Sequence, residues 1–418
     1  MRCNVWIRPA LLWKIGVCLL VLTLSGTAYA DDASVLPKGT WRFYIENQLY
    51  LPIKERFNKD GHAEDVAKDF NVDLNSSVFA DLALVEAAFF LPPGTGSLGN
   101  SVVSFKWDIK QLYLSPAYGL TDRLSVGIIV PYLWQKNAVS ANLDASTATL
   151  GINPGVPGNI APLGFPGTSP PTTDDIQNLL VTQGFERIET WSEEGLGDIE
   201  LGGRYQYFNS DPFLLAFTGG VRFPTGKVDD PDNLVDRGFG DGVYALLFRF
   251  QQDYIRQRSG ITSQLGIPEP GSFLLNTTFR YDLLLPDQET LRVCDVHNPT
   301  CPDKDDVRRN LGDVVEAEVS GSVGLFKGLF FSPLYKYGHK FKDHYSGDKS
   351  LDYGALADET RYNEHILKAT LSYSTLPLFL EKRFPVPFIA SVTYRDRFAG
   401  DNNLFKSRYI GLVLQAYL

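Results

Sequence analysis

From residue 105 the chain alternates. Phe105, Trp107 and Ile109 fall on one parity and Lys106, Asp108 and Lys110 on the other, which is the two-faced pattern of a β-strand. After a polar knot of Gly119, Thr121, Asp122 and Arg123, alternation resumes in Leu124, Val126, Ile128 and Val130, opposed by Ser125, Gly127 and Pro131, with Ile129 as an apolar intruder. The knot reads as a tight hairpin turn. Arms of about ten residues or more, with an aromatic-rich apolar face and charges opposite, mark a transmembrane β-hairpin. Lys106, Asp108 and Lys110 are expected on its lumen side. Beyond Lys110 the parity blurs because Leu112 and Leu114 switch faces, so either a bulge or a segment projecting past the membrane is expected there.

The same alternation recurs between Trp41 and Leu418. A first strand sets Trp41, Phe43, Ile45 and Leu49 against Arg42, Tyr44, Glu46 and Gln48. Later strands place Glu200 and Arg204 (fourth), Arg222 (fifth), Arg280 and Asp282 (seventh), Glu316 and Glu318 (eighth), Lys368 (tenth) and Arg395 (eleventh) on the polar parity, opposite Leu201, Phe217, Phe279, Val319, Leu367 and Val392. The final strand carries Ile410, Leu412, Leu414, Ala416 and Leu418 on one parity. It resembles the terminal signal read by the barrel-insertion machinery, though Tyr417 stands where the aromatic usually comes one position later. Twelve strands, an even number, predict an all-β fold: a closed antiparallel transmembrane β-barrel in contact with outer-membrane lipid, with both ends on the periplasmic side. The Gly119–Arg123 and Asn209–Pro212 turns belong on that side and the long loops outside.

Two long connections interrupt the strands. In the first, Val78, Phe79, Leu82, Val85 and Phe89 recur at helical spacing between Asn75-Ser76-Ser77 and Pro92-Pro93-Gly94, which predicts a short amphipathic helix within residues 74–91. Two roles are open to it: packing over the barrel rim, or a constriction in the lumen. The second, Ala138 to Glu194, is rich in Pro and Gly and holds another helical candidate with Asp174 and Asp175 in its first turn and Ile176, Leu179 and Leu180 on one side.

Composition narrows the class. Residues 1–30 carry Arg2, Arg8 and Lys14, no acid, an apolar run of about ten residues from Ile15 to Leu24, and the ending Ala28-Tyr29-Ala30, which is a secretory signal cleaved before Asp31 rather than a spanning helix. Removing it takes three basic residues from a chain of formal charge −10 and leaves residues 31–418 at −13, which disfavours a nucleic-acid partner. No apolar run of membrane-spanning length follows, and no linker divides residues 31–418, so one barrel domain is expected. Twenty Tyr, 27 Phe and 6 Trp suit interfacial aromatic girdles.

Little in the chain points to enzymatic chemistry. Cys294 and Cys301 share one polar loop and have no competing thiol after the signal, which predicts a disulfide in an exported chain. His297 alone makes a thin metal site, and the acidic stretches Asp229–Asp232 and Asp303–Asp306 lack the spacing of a Ca²⁺ loop, so neither a metal nor a cofactor is expected. His339, Asp343, His344 and Ser346 are the only cluster from which a hydrolase could draw. In an extended strand His339 and His344 point to opposite faces, so they converge only if a turn intervenes.

The stretches Tyr118–Tyr132, Gly195–Phe208 and Gly220–Lys227, in that order, resemble the outer-membrane proteins named for the meta-pathway of phenol degradation. The resemblance implies passage of small hydrophobic or aromatic solutes across an outer membrane. Three classes then remain: a channel with substrate preference, a general diffusion pore, and a structural or surface-binding barrel with a closed lumen. Inward charges of both signs fit either a hydrated pore or an ion-pair network that fills the barrel.

Overall fold

A computed structural model describes residues 31–256, 268, 270–293 and 303–418. The signal segment and the Cys294–Cys301 pair lie outside them. Twelve strands form the ring: β1 (Trp41–Tyr50), β2 (Ser97–Thr121), β3 (Leu124–Asp144), β4 (Ile199–Ser210), β5 (Phe213–Phe223), β6 (Ala245–Arg256), β7 (Phe273–Leu284), β8 (Val314–Phe326), β9 (Leu329–Lys340), β10 (Tyr362–Ser374), β11 (Phe388–Gly400) and β12 (Arg408–Tyr417). Each pairs antiparallel with its sequence neighbour, and β1 lies between β2 and β12, so the sheet closes and leaves no free edge. Both chain ends of the ring and the turns at Asp122-Arg123 and Asp211-Pro212 gather at one end. The connections from β1 to β2, β3 to β4 and β5 to β6 lie at the other end, while the 13-residue β10–β11 connection (375–387) lies at the turn end.

Alternation sets the two faces. Outward positions such as Leu201, Phe250, Leu367 and Leu414 are about half exposed, whereas the inward Glu200, Glu318 and Glu364 are buried. Only an apolar surrounding makes that arrangement favourable, since the charges have each other inside and the outer band has nothing polar to offer water. Aromatic pairs mark the band's borders, Trp41 with Tyr118 near the turn end and Tyr132 with Trp134 near the loop end, at ring separations of 4.8 and 4.7 Å.

The β2–β3 hairpin does not stop at the border. β2 has 25 residues and β3 has 21, against the roughly 9–11 a crossing strand needs, so the hairpin stands well clear of the barrel. This corrects the placement of Lys106, Asp108 and Lys110. They lie on the outer face of the projecting part, with Lys106 and Asp108 half exposed and 3.7 Å apart, while Phe105, Trp107 and Ile109 point inward and are buried. No bulge intervenes: the register with β3 is unbroken from Asn100 to Leu114. The faces keep their parity and the medium changes, so Leu112 and Leu114 below the border are apolar outward where Lys106 and Lys110 above it are charged.

Helix α1 (Leu82–Ala88) is shorter than its spacing suggests. Asp73–Asn75 is drawn into strand pairing with the tip of β2, Val78 and Phe79 precede the helix, and Phe90, at a φ of 56°, closes it before Pro92. The side chain of Asn75 accepts from Ser77 N–H and caps nothing. Helix α2 (Thr173–Thr182) forms as its sequence implies, with a reciprocal cap between Thr172 and Asp175. No helix among the described residues is long and apolar enough to cross a membrane.

The outer band yields a first prediction. Leu367→Arg, in the middle of β10, should destabilise the barrel in lipid vesicles by about 2–4 kcal/mol in urea titration, whereas Val102→Arg on the projecting part should cost under about 1 kcal/mol.

Candidate functional site in the lumen

The interior is layered, and strand direction gives the order. Along β10, Tyr362, Glu364, Lys368, Thr370 and Ser372 run inward-facing from the loop end to the turn end. The outermost layer is a lid in which Ile53 and Phe70 from the first long connection, Val235 from the β5–β6 loop and Phe405 from the β11–β12 loop pack on Phe105, Trp107 and Ile109. Polar contacts hold it down: Ile53 and Trp107 exchange backbone hydrogen bonds of 2.9 and 3.0 Å, and Asn137 Nδ2 donates to Val235 O at 3.2 Å. Below it Phe57, Leu247, Leu284, Leu311, Val314, Tyr362 and Leu404 form a second apolar layer inside the barrel.

Beneath the apolar layers runs an ionic belt. Arg222 binds Glu200 at 2.9 Å and Asp282 at 2.7 Å, Arg249 reaches Glu200 at 2.9 Å, and Arg280 reaches Glu316 and Glu318 at 3.5 and 3.4 Å. Lys336 joins Glu316 at 2.6 Å to Glu364 at 3.0 Å, and Arg397 closes on Glu364 at 2.8 Å. Contiguous strands from β4 to β11 thus contribute. Lys336, Glu364 and Arg397 are each 1% exposed, a burial no water-filled pore would give them. Lys368 and Arg395 are buried nearer the turn end, where Ser and Thr pairs such as Thr370 with Thr393 take over.

The belt contains a local conflict. Arg249 stands opposite Arg280 in the β6–β7 register, and Arg204 lies in the same lateral row across Thr218. The segment Asp31–Pro37, folded into the turn end of the barrel, resolves it. Asp31 pairs with Arg204 and lies 3.7 Å from Arg249 and 3.6 Å from Arg280. The segment is pinned by Ala33 N–H to Asp253 at 2.9 Å, by Gln206 Nε2 to Ala33 O at 2.8 Å and by Leu36 N–H to Ser125 Oγ at 2.8 Å. It has no periodicity, and in the sequence only its two adjacent acids distinguish it.

Of the candidate lumen residues, Glu200, Arg204, Arg222, Arg280, Asp282, Glu316, Glu318, Lys368 and Arg395 come together inside, while Lys106, Asp108 and Lys110 do not, for the reason given above. The candidate constriction residues Val78, Phe79, Leu82, Val85 and Phe89 are likewise not at the lumen. The first three are buried with Leu74, Leu98, Leu150, Ile160, Leu180 and Phe185 in a separate core at the tip of the hairpin, Val85 packs against that core, and Phe89 meets Phe165. The earlier part of the same connection, around Ile53–Phe70, caps the barrel instead. The imidazole of His339 meets the Asn363 side chain at 2.8 Å, Asp343 is held by Lys340, and His344 is exposed, so these groups do not converge.

No protein-family model and no curated protein matches this chain. Solved structures similar to it include an outer membrane channel from Pseudomonas putida F1, 12% identical with a TM-score of 0.49, covering 93% of this chain and 99% of that one. The Ralstonia pickettii toluene transporter TbuX is 10% identical with a TM-score of 0.34 over 93% and 92% of the two chains. The translocator domain of the autotransporter NalP from Neisseria meningitidis is 8% identical with a TM-score of 0.36 over 91% and 88%. The assignment of a twelve-stranded barrel rests on the closed ring of strand pairs and not on these likenesses.

Two predictions come from this geometry. Asp31→Asn should lower barrel stability by about 3–5 kcal/mol in urea titration, because three arginines lose a buried carboxylate, and Asp32→Asn, whose side chain is less buried, should cost less. In the lid loop, burial raises the Asp236 carboxyl to about 7, helped by the nearby Asp229 and Asp230 charges and opposed by the Asp230 N–H at 2.8 Å and by Lys227. A carboxyl with a raised value favours the docked loop below its ordinary value and loses that advantage as pH rises through about 7. Hydrogen exchange at Val235–Phe239, corrected for intrinsic rates, should therefore show opening at least about tenfold more frequent at pH 8 than at pH 5, and Asp236→Asn should flatten the profile.

Proposed function

We propose that this chain is an outer-membrane channel for small apolar or aromatic solutes, exported by cleavage before Asp31 and closed to ions in the state described. The observation that carries the reading is the stacking of two apolar layers above a dry ionic belt. A solute entering from the loop end meets Phe70, Trp107, Phe405 and then Phe57, Leu247 and Tyr362, surfaces into which an aromatic ring partitions and an ion does not. A general diffusion pore needs hydrated lining charges, and the burial of Lys336, Glu364 and Arg397 argues against one. The selective element in this reading is the Ile53–Phe70 lid.

The test compares two deletions in planar bilayers and in whole-cell uptake of labelled toluene. Wild type should conduct ions poorly and admit toluene. Removing residues 54–69 should raise conductance severalfold and lower the preference for toluene over a sugar, whereas removing residues 73–92 should change neither. Large steady conductance with sugar permeation in wild type would establish a diffusion pore. Failure to pass any solute, with or without the lid, would leave a structural barrel.

A further inference from the structure

A cavity of 160 Å³ remains in the turn half of the barrel, between the Asp31–Leu36 segment and the inner wall of β2 to β6. Its floor is bare backbone. Gly202 pairs with Gly127 on one side and Gly220 on the other, so three neighbouring strands each present an inward glycine at one level. A Cβ at Gly220 would come within 2.8 Å of Leu201 O and one at Gly127 within 3.1 Å of Ala117 Cβ, so larger residues would not fit without shifting the wall. Leu36, Ala117, Ile129 and Leu247 supply the apolar sides.

The rest of the lining is cationic. Four arginines, Arg42, Arg204, Arg249 and Arg280, face three carboxylates, Asp31, Asp32 and Glu200, an excess of one positive side-chain charge, to which cleavage before Asp31 would add the α-ammonium. Arg204, Arg249 and Arg280 are committed to the belt, but Arg42 is in no ion pair among the described residues. The Nε–H groups of Arg42, Arg249 and Arg280 and the Ser34 hydroxyl are buried without a hydrogen-bond partner among the described residues. Buried donors of this kind are costly to leave unmatched, and all four belong to residues that line this one cavity.

Resting on the channel reading above, we propose that this cavity binds a single-ring aromatic carboxylate, its ring against the glycine floor and Ile129 and its carboxylate on the Arg42 guanidinium. The size fits one ring, since a cavity of about 150 Å³ accommodates benzene. The charge selects an anion: a neutral ring leaves the cationic excess unmatched, and an ammonium adds to it. The N-terminal segment forms one wall, so the site exists only while that segment is seated.

The test is equilibrium binding of 4-fluorobenzoate to the purified full-length barrel in detergent, followed by ¹⁹F NMR, with fluorobenzene and 4-fluorobenzylammonium as neutral and cationic probes. 4-Fluorobenzoate should bind at least about tenfold more tightly than either. Ile129→Trp, which fills the cavity, and Arg42→Gln, which removes the cation outside the belt, should each weaken it by about tenfold or more, in protein whose unheated gel mobility shows a folded barrel. Equal binding of the three probes, or unchanged 4-fluorobenzoate binding in Arg42→Gln, would overturn the site. Because binding is read without transport, absence of binding in a wild type that still takes up toluene sinks the site and spares the channel. Tight binding in a barrel that passes nothing upholds the site and removes the channel reading.

Discussion

Three arginines on one row of the barrel wall, Arg204, Arg249 and Arg280, converge on a single buried carboxylate at Asp31. Like charges placed opposite each other in adjacent strands repel, and in a dry interior that repulsion is poorly screened. The counter-charge is supplied by a segment 173 to 249 residues away in sequence, and once seated it joins the Glu200–Arg222–Asp282 group to the Arg280–Glu316–Lys336–Glu364–Arg397 group. The inside of the barrel and the position of the N-terminal segment are therefore one problem with one solution.

That dependence gives the lumen its character. Buried, paired charges are costly to separate, because removing one partner leaves the other bare in the interior. Above the ionic belt lie two apolar layers built in part from loops that fold inward. The apolar layers and the arginine-lined cavity differ in polarity, which divides the interior into an apolar zone toward the loop end and a charged zone toward the turn end. The long β2–β3 hairpin makes the first zone possible, since its inward face above the membrane border gives the lid loops an apolar wall to pack on.

The ring itself was legible in the sequence because strand parity is a local property. A residue's neighbours two positions away share its face, and the contrast between the faces of Leu201 and Glu200 or Leu367 and Lys368 needs no knowledge of the rest of the chain. The twelve strands, the tight turns at Asp122-Arg123 and Asp211-Pro212, the inward charges of β4 to β11 and the helix α2 with Asp174 and Asp175 in its first turn all follow from spacing of this kind. Spacing also located α1, though not its length, since pairing of Asp73–Asn75 with the tip of β2 competes with the helix for its first turn.

Parity, however, says nothing about depth. Phe105-Lys106-Trp107-Asp108 alternates as well as any crossing strand, and only the height of the hairpin above the membrane border decides that its apolar side faces in and its charged side faces water. The same limit hid the lid, because Ile53, Phe70, Val235 and Phe405 are far apart in sequence and share no period. Asp31 carries no pattern whatever, and its role arises from three arginines that the closure of the ring brings to one level. Local spacing determined which way each side chain points; closure, height and the folding-in of loops decided what it meets there.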